Sequence, residues 1–548
     1  MLEPMQTPLD YLYRWENLDP HGCYLRQPCN GEWHEYTWRE VADTARRVAS
    51  ALQSLGVKKG GRVAILSKNC AEWIIADLAI MMAGAISVPL FPMQSKESML
   101  HVLEHSEASV LFLGKLDNLP EVINDLSDSI TTIGFNYDGV EAQLKWDDVV
   151  KKYSPIMEPC RPELESIFTI VYTSGTTGYP KGVQHSYRAI SFVSSNNVKE
   201  TNLNQNDRFL SFLPLAHVAE RVLVEFSSIY AGCTVSFVES LDTFANDIKH
   251  IKPTVFGAVP RIWVKLQMKV LEKIPQETLI NILRVPILGW FVKRKIRREL
   301  GLEKVKDFIS GAAPLPESVM IFFRRLGINI QELYGMTENL AYGTFNKKED
   351  IRFGTVGTNR LGGEMKISDE GEILFRSPAI MKGYYLDKEK TYEVIDHLDF
   401  YHTGDAGEIC EDGFLKITGR IKDTFKTSKG EFITPTIIEE MLSENTSIEQ
   451  VCVVGLGMPQ PMALVVLSES ARSMPKDELS NDLFSTYQKV NEGLKSHETI
   501  NSLIVVKDEW VPGDYFMTPT LKIKRNELFE NYRHILDRNS EVRGVVWE

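Results

Sequence analysis

Cysteine is scarce and unpatterned in this chain: seven residues, at positions 23, 29, 70, 160, 233, 410 and 452, with no C-x-x-C pair. That excludes a disulfide framework and a thiolate zinc site, and the odd, scattered thiols fit a reducing compartment. The 11 histidines show no metal-ligand spacing. Positive charge is in deficit, with 61 Lys and Arg against 74 Asp and Glu, a net charge of −13 that argues against non-specific nucleic-acid binding. No apolar run is long enough for a bilayer. Residues 73–91 come nearest, but Asp77, Gly84 and Pro89 interrupt them. The N-terminus has neither a basic region nor an apolar stretch, so no signal peptide is expected and the cytoplasm is the expected location. Repeats and low-complexity tracts are missing too.

What is present is an ordinary globular composition, 43% hydrophobic and 25% charged, over 548 residues, which implies more than one domain. Thr37-Trp-Arg-Glu40 reads as a capping box, and Val41, Ala45, Val48, Leu52 and Leu55 follow at helical spacing before Gly56. Residues 73–82 read as a buried helix and 85–90 as a strand. Strands are expected at 62–66, 109–112, 166–172, 208–212, 234–239, 254–259, 306–310 and 329–333. Helices are expected at 185–198, 217–229, 261–271 and 316–326. Strand and helix in turn predict an α/β fold of parallel sheets layered with helices. Near residue 350, Gly354, Gly357, Gly362, Gly363 and Gly371 signal a small β region. After Gly419-Arg420 the pattern becomes a smaller α+β one. The expected division is a large domain over 1–420 and a small mobile one over 421–548, joined at the polar run 422–426.

The most informative segment is Tyr172-Thr-Ser-Gly-Thr-Thr-Gly-Tyr-Pro-Lys-Gly182, with four Ser/Thr hydroxyls, three glycines and one lysine after an apolar strand. Glycine lets backbone N–H groups approach phosphate oxygens, hydroxyls donate, and lysine supplies charge. It is not the P-loop, whose lysine precedes Ser/Thr at a helix start. Four further segments accompany it. Ser310-Gly-Ala-Ala-Pro314 and Glu332-Leu-Tyr-Gly-Met-Thr-Glu338 follow at the carboxyl ends of two strands, where open α/β sheets bind ligands. A flat Gly-Ala-Ala backbone opposite the Tyr334 ring forms a slot for a planar base, and Thr337 and Glu338 suit Mg²⁺ on a phosphate. Tyr401-His-Thr-Gly-Asp405 offers an acid for ribose hydroxyls. Arg420 and Lys522 are the remaining cations. Singly, Gly404-Asp405 could be a plain turn and Glu338 a helix N-terminal acid; it is the combination and order that are specific.

In that combination the chain resembles the adenylate-forming superfamily of acyl-CoA synthetases, peptide-synthetase adenylation domains and luciferases, over about residues 10–535. Within it the likeness is to long-chain fatty acyl-CoA synthetases, through Leu213-Pro-Leu-Ala-His-Val-Ala-Glu-Arg221, Val259-Pro-Arg-Ile-Trp263 and Met517-Thr-Pro-Thr-Leu-Lys-Ile-Lys-Arg525. The resemblance implies a two-step reaction using ATP, Mg²⁺ and coenzyme A, in which a carboxylate forms an acyl-adenylate and a thiol then displaces AMP. It implies that Thr173, Ser174, Gly175, Thr176, Thr177, Gly178 and Lys181 hold the β- and γ-phosphates, with Thr176 and Glu338 near the metal. Gly311, Ala312, Ala313 and Tyr334 would flank adenine, Gly335, Met336 and Thr337 complete the nucleotide segment, and Asp405 and Arg420 bind ribose. Lys522 would bridge the acyl carboxylate and α-phosphate, with Lys524 as its rival, and Lys422 would be the hinge. His217 would orient the carboxylate, or simply cap a helix start. The chain departs from the pattern at Ser186-Tyr187-Arg188, where relatives have Ser-His-Arg. It also lacks the N-terminal membrane anchor usual in eukaryotic long-chain enzymes, which implies a bacterial-type soluble enzyme.

The acid itself is less defined. Segment 209–226 contains Glu220 and Glu225 but no aspartate at the start of its helix to meet an ammonium group. Leu210, Phe212, Leu213, Leu215, Val218, Val222 and Phe226 suit an alkyl chain, and equally suit a hydrophobic core. Residues 284–300 mix Ile287, Leu288, Trp290 and Phe291 with Lys293, Arg294, Lys295, Arg297 and Arg298. This is either a solvated basic face or a patch resting on anionic lipid at the inner membrane face. A homodimer is left open. Three readings compete: a fatty acyl-CoA ligase, an adenylate-forming ligase that loads a carrier protein or takes another acid class, and a nucleotide- or lipid-binding sensor.

Overall fold

The computed structural model describes residues 5–116, 123, 125–173, 180–511, 513, 515–518 and 522–548. Two large sheets dominate the first four hundred residues. In the eight-stranded sheet, Arg62–Leu66, Ile86–Leu90, Val110–Leu113, Thr131–Gly134 and Ile167–Thr173 run parallel; at one edge Lys181–Ser186 is antiparallel to Ile167–Thr173, and Gly383–Tyr384 is antiparallel to Lys181–Ser186. In the nine-stranded sheet, Cys23–Cys29, Thr234–Phe237, Arg208–Ser211, Val255–Ala258, Asp307–Gly311 and Ile330–Tyr334 run parallel in that spatial order. The α/β expectation of parallel sheets layered with helices therefore holds.

The sheets share one core. Ile65, Phe112 and Phe168 of the first and Val235, Phe237 and Ile309 of the second pack on the helices between them, Trp38–Ser54, Ala71–Met82 and Tyr187–Thr201. Every residue of Ala71–Met82 is buried. This explains a segment apolar enough to suggest a bilayer, since a helix hydrophobic all round belongs in a protein core or a membrane. Among the described residues no helix is long and apolar enough to cross a membrane. The capping box at Thr37 is formed: its Oγ1 accepts the Glu40 N–H at 3.2 Å and Glu40 Oε2 accepts the Thr37 N–H at 2.8 Å.

Two expectations change in detail. Lys181–Ser186 is a strand antiparallel to Ile167–Thr173, and the helix starts only at Tyr187. The glycine- and hydroxyl-rich segment thus joins two strands, not a strand and a helix. Residues 217–229 do not form one α-helix either: Arg221–Phe226 is π-helical, between α-helical Val218–Glu220 and Ser227–Ala231. The helix Pro8–Leu18 and the hairpin Cys23–Cys29/Glu32–Thr37 went unread in the sequence.

A four-stranded antiparallel sheet, Glu364–Ile367, Glu372–Arg376, Tyr401–Ile409 and Leu415–Arg420, follows. Beyond it, Ile448–Val454, Met462–Leu467, Ser502–Val505 and Gly544–Trp547 form another sheet with helices Pro435–Leu442 and Lys476–Gly493 on one face and Arg525–Asn531 on the other. Arg261 and Glu449 form an ion pair between this C-terminal region and the helix Pro260–Leu271.

Candidate functional site

The site forms where Asp307–Gly311 and Ile330–Tyr334 end side by side, with Gly311 opposite Leu333. A Cβ on Gly311 would lie 2.9 Å from the Leu333 carbonyl oxygen, and one on Gly335 would lie 2.5 Å from the Ala341 backbone. Only glycine permits this close backbone approach. Ala312 and Ala313 are exposed and Ala312 has φ +71°, so the chain turns away at the strand end and leaves a flat, open rim beside Tyr334.

Tyr334 leads directly to Asp405. Its hydroxyl donates to Asp405 Oδ2 at 2.6 Å, and Arg420 Nε lies 3.1 Å from Asp405 Oδ1. Asp405 and Arg420 are cross-strand partners on adjacent strands, so a register read across two turns of chain produces the pair. Gly404-Asp405 is therefore more than a plain turn. Glu338, in the turn Thr337–Asn339, accepts the Tyr384 hydroxyl at 2.9 Å, and Lys181 Nζ sits 5.8 Å from the Tyr384 ring centre. Lys181 is held below its ordinary value by burial and then by the charges of Lys390 and, more weakly, Lys422.

Lys522 reaches this cluster from the C-terminal region. Its loop is folded back by Thr518 N–H donating to the Lys522 carbonyl at 2.8 Å and Lys522 N–H donating to Thr518 Oγ1 at 3.0 Å. The side chain is open to water yet walled by protein, and that enclosure lowers its ammonium pKa first. The Arg420 charge lowers it further, while Glu338, Asp405 and Asp423 pull upward. Charged groups from three segments, at Glu338, at Asp405 and at Arg420 with Asp423, thus act on one ammonium.

His217 faces the same space. Burial, then the Lys522 charge, brings its pKa down to about 4, so it is neutral at physiological pH. Its Nδ1 accepts the Ala219 N–H at 3.1 Å, which places the proton on Nε2. The capping reading and a donor role are therefore compatible: one nitrogen caps and the other carries an N–H.

Thr173 ends its strand opposite Lys181. Ser174, Gly175, Thr176, Thr177 and Gly178 lie outside the described residues, and with them the Thr176 half of the metal expectation. Met336 N–H is bonded to Asn339 Oδ1 at 2.9 Å, and the Thr337 carbonyl accepts from His185 Nε2 at 2.7 Å. Lys422 is exposed in the turn that follows Arg420. His185 and Tyr384 are the residues the sequence reading missed. His185, pushed down to about 3 by burial and so neutral, ties the Glu338 turn to the strand Lys181–Ser186. Tyr384 joins Glu338 to Lys181. Neither has a local signal, because their partners lie 46 and 152 residues away.

Among the described residues no group of three or more His, Cys, Asp or Glu could hold a metal ion by itself. A single carboxylate, Glu338, beside Lys181 nonetheless fits Mg²⁺, which takes one or two protein carboxylates and completes its shell with water and substrate phosphates.

The family model of AMP-binding enzymes matches residues 20–385, and that of the AMP-binding enzyme C-terminal domain matches 422–539. A long-chain-fatty-acid–CoA ligase of Mycobacterium bovis is 29% identical across 95% of this chain and 95% of that protein. Fatty acyl-CoA synthetase A of Dictyostelium discoideum is 29% identical across 93% of this chain and 86% of its own. Among solved structures, an anthranilate–CoA ligase with bound anthranoyl-AMP superposes with TM-score 0.80 at 22% identity, over 97% of this chain and 99% of that one. O-succinylbenzoate–CoA synthetase of Bacillus subtilis with AMP gives 0.75 at 23%, over 95% and 98%.

Proposed function

Because this chain belongs to the AMP-binding enzymes and is an acid–thiol ligase that uses ATP, Mg²⁺ and coenzyme A, we propose that its acid is a medium- to long-chain fatty acid, activated in the cytoplasm. The observation that carries this reading is the occupation of both acids in the 209–226 segment. Glu220 accepts from Ser211 Oγ at 2.8 Å and the Phe212 N–H at 3.1 Å, and burial pushes its carboxyl up to about 8. Glu225 is engaged by Arg221. Neither can neutralise the ammonium of an amino-acid substrate, and an unpaired buried charge is costly. Leu215, Val218, Val222 and Phe226 lie in the main core, while Phe212 and Leu213 are half-buried and remain candidates for an alkyl wall.

In the first step a carboxylate oxygen attacks the α-phosphorus, forming the acyl–O–P bond as the P–O bond to pyrophosphate breaks. Lys522 stabilises the negative charge gathered between carboxylate and α-phosphate, while the Nε2–H of His217 is available to orient the carboxylate. Asp405 accepts from ribose hydroxyls, held in place by Tyr334 and Arg420; Gly311 to Ala313 and Tyr334 flank the base; Gly335, Met336 and Thr337 line the nucleotide. Thr173 and Lys181 face the leaving phosphates. Glu338 would hold Mg²⁺, which would supply charge neutralisation for the phosphates. In the second step the coenzyme A thiol, giving up its proton, attacks the acyl carbon and AMP leaves.

ATP–pyrophosphate exchange over a panel of carboxylic acids, repeated with coenzyme A, tests the reading. Exchange is expected with fatty acids of medium and long chain, with thioester accumulating when the thiol is added. Exchange without consumption of coenzyme A would transfer the reading to a carrier-protein ligase, and no exchange with any acid would leave a nucleotide- or lipid-binding protein.

The small C-terminal region, taken as the unit 421–548, serves both steps by turning about Lys422. The Ile421 N–H is bonded to the Gly404 carbonyl at 3.0 Å, and exposed Lys422 follows in a turn closed by the Asp423 N–H on the Arg420 carbonyl at 3.2 Å, so turning about Lys422 would open that turn. Proline there fixes φ near −65°. Lys422→Pro is expected to leave adenylation within about twofold and to cut thioester formation by at least about tenfold, as gating motions set such steps. Equal loss of both half-reactions would refute the hinge.

A further inference from the structure

A helical hairpin stands out from the nine-stranded sheet: Gln276–Arg284 and Pro286–Glu299, joined through Val285 alone. Its two arms are tightly apposed, since a Cβ on Gly289 would lie 3.0 Å from the Leu283 carbonyl oxygen. Leu279, Gly289 and Ile296 face inward. What faces outward is unusual. At the turn end, Ile287 is 74% exposed, Phe291 59% and Trp290 53%, with Val285 and Leu288 about half exposed beside them. Scattered exposed apolar side chains are ordinary; five within seven residues form a patch that marks an interaction site.

The second half of the same helix is cationic. From Arg284 to Arg298 there are six Lys and Arg and no acid, in a chain of net charge −13. Arg294 stacks over the Trp290 ring at 5.4 Å, and Arg297 is drawn inward to the Val305 carbonyl at 3.1 Å. Arg298 is 3.9 Å from Glu303. Lys295 stands one turn behind Phe291, about 6 Å along the axis at 1.5 Å per residue. A surface hollow of about 300 Å³ lies between Trp290, Lys293, Arg294, Arg297 and Lys304, with Glu303 as its one acid. An apolar end backed by a cationic collar one turn away matches the depth profile of a lipid interface, acyl chains beneath phosphate headgroups.

We propose that the 285–298 end of this hairpin docks the protein on the surface of an anionic phospholipid bilayer, with Ile287, Trp290 and Phe291 entering the acyl boundary and Lys293, Arg294 and Lys295 meeting headgroup phosphates. A second copy of this chain is a poor occupant, because a two-fold contact would set six cations against six. A nucleic acid would leave the outermost aromatic and aliphatic groups without partners. The surface lies outside the nucleotide site, so the proposal stands whether or not the substrate is a fatty acid.

Co-sedimentation of the full chain with vesicles tests it. One set is phosphatidylcholine alone and the other a three-to-one mixture with phosphatidylglycerol, each at low and high salt. Binding is expected to the mixed vesicles, several-fold weaker to the neutral ones, and weakened by salt. The variant Arg294→Glu/Lys295→Glu/Arg298→Glu should lose at least about tenfold in affinity, since each basic side chain contributes near an anionic surface. Trp290→Ala/Phe291→Ala should also weaken binding to the mixed vesicles, which a purely ionic contact would not. All these positions are exposed, and unchanged ATP–pyrophosphate exchange with a water-soluble acid reports that each variant is folded. Equal binding to neutral vesicles, unchanged binding of either variant, or retention of duplex DNA without vesicle binding would overturn the proposal.

Discussion

Lys522→Ala is expected to reduce ATP–pyrophosphate exchange by on the order of 10²–10³, the loss of about 3–4 kcal/mol that follows removal of one preorganised charge donor from a reacting centre. Lys522 is the side chain that the C-terminal region projects toward Glu338, Asp405 and Arg420, and its loop is held by two bonds to Thr518 and by the bridge between Met517 and Ile523. His217 registers the charge of Lys522. Lys524, the rival from the sequence, leads into the helix Arg525–Asn531 with its N–H on the Phe516 carbonyl at 2.9 Å. Lys524→Ala should therefore change exchange only slightly. The decisive control is the second half-reaction. Given preformed acyl-adenylate and coenzyme A, Lys522→Ala should make thioester at close to the parent rate, because its charge serves the α-phosphate only while pyrophosphate departs. A larger loss in Lys524→Ala than in Lys522→Ala would reverse the assignment.

Arg221→Met is expected to destabilise the protein by about 3–5 kcal/mol, since breaking a buried ion pair strands its partner. Arg221 is 2% exposed and holds Asp77 Oδ2 at 2.6 Å, Glu225 Oε2 at 3.3 Å and Thr169 Oγ1 at 2.8 Å. The rings of Trp73, Phe168 and Phe226 each lie 5.4 Å from its guanidinium carbon. One side chain thereby ties the helix Ala71–Met82, the strand Ile167–Thr173 and the π-helical turn together beneath the site. The carboxylates are not equivalent in their response. Burial, then the charge of Asp77, drives the Glu225 carboxyl well above the usual carboxylate range, against the pull of Arg221. Protonated, it offers a hydroxyl donor to Asp77, whose Oδ1 otherwise has no partner, and glutamine mimics that form. Glu225→Gln should accordingly cost under about 1 kcal/mol. It should also remove a pH dependence. A carboxyl raised in the folded state binds more protons than it does unfolded. Its contribution is therefore complete at low pH and falls as pH rises from the ordinary carboxylate range toward the folded value. Urea midpoints at acid and mildly alkaline pH would show the parent losing stability that Glu225→Gln keeps. A strongly destabilised Glu225→Gln, or a tolerant Arg221→Met, would contradict this account.

The sequence by itself determined the alternation of strands and helices, because apolar period and capping are local properties: Thr37 and Glu40 close their box three residues apart. It also determined the chemistry on offer, since Gly311, Gly335, Asp405 and Lys522 stand in short motifs whose order is specific. Geometry set by distant parts of the chain was not legible. His185 and Ser186, the end of the strand Lys181–Ser186, read as a helix start because the strand's pairing, which puts Lys181 across from Thr173, is made with the preceding strand. The π-helical turn at 221–226 is invisible to a 3.6-residue pattern; the structure decided it, around a buried arginine whose acid and hydroxyl partners lie as far off as Asp77 and Thr169. Tyr384 and His185 acquired their places for the same reason. Only tertiary structure decided that Lys522 comes within electrostatic reach of Glu338, Asp405, Arg420 and His217, because such interaction depends on separation in space while motifs record separation along the chain.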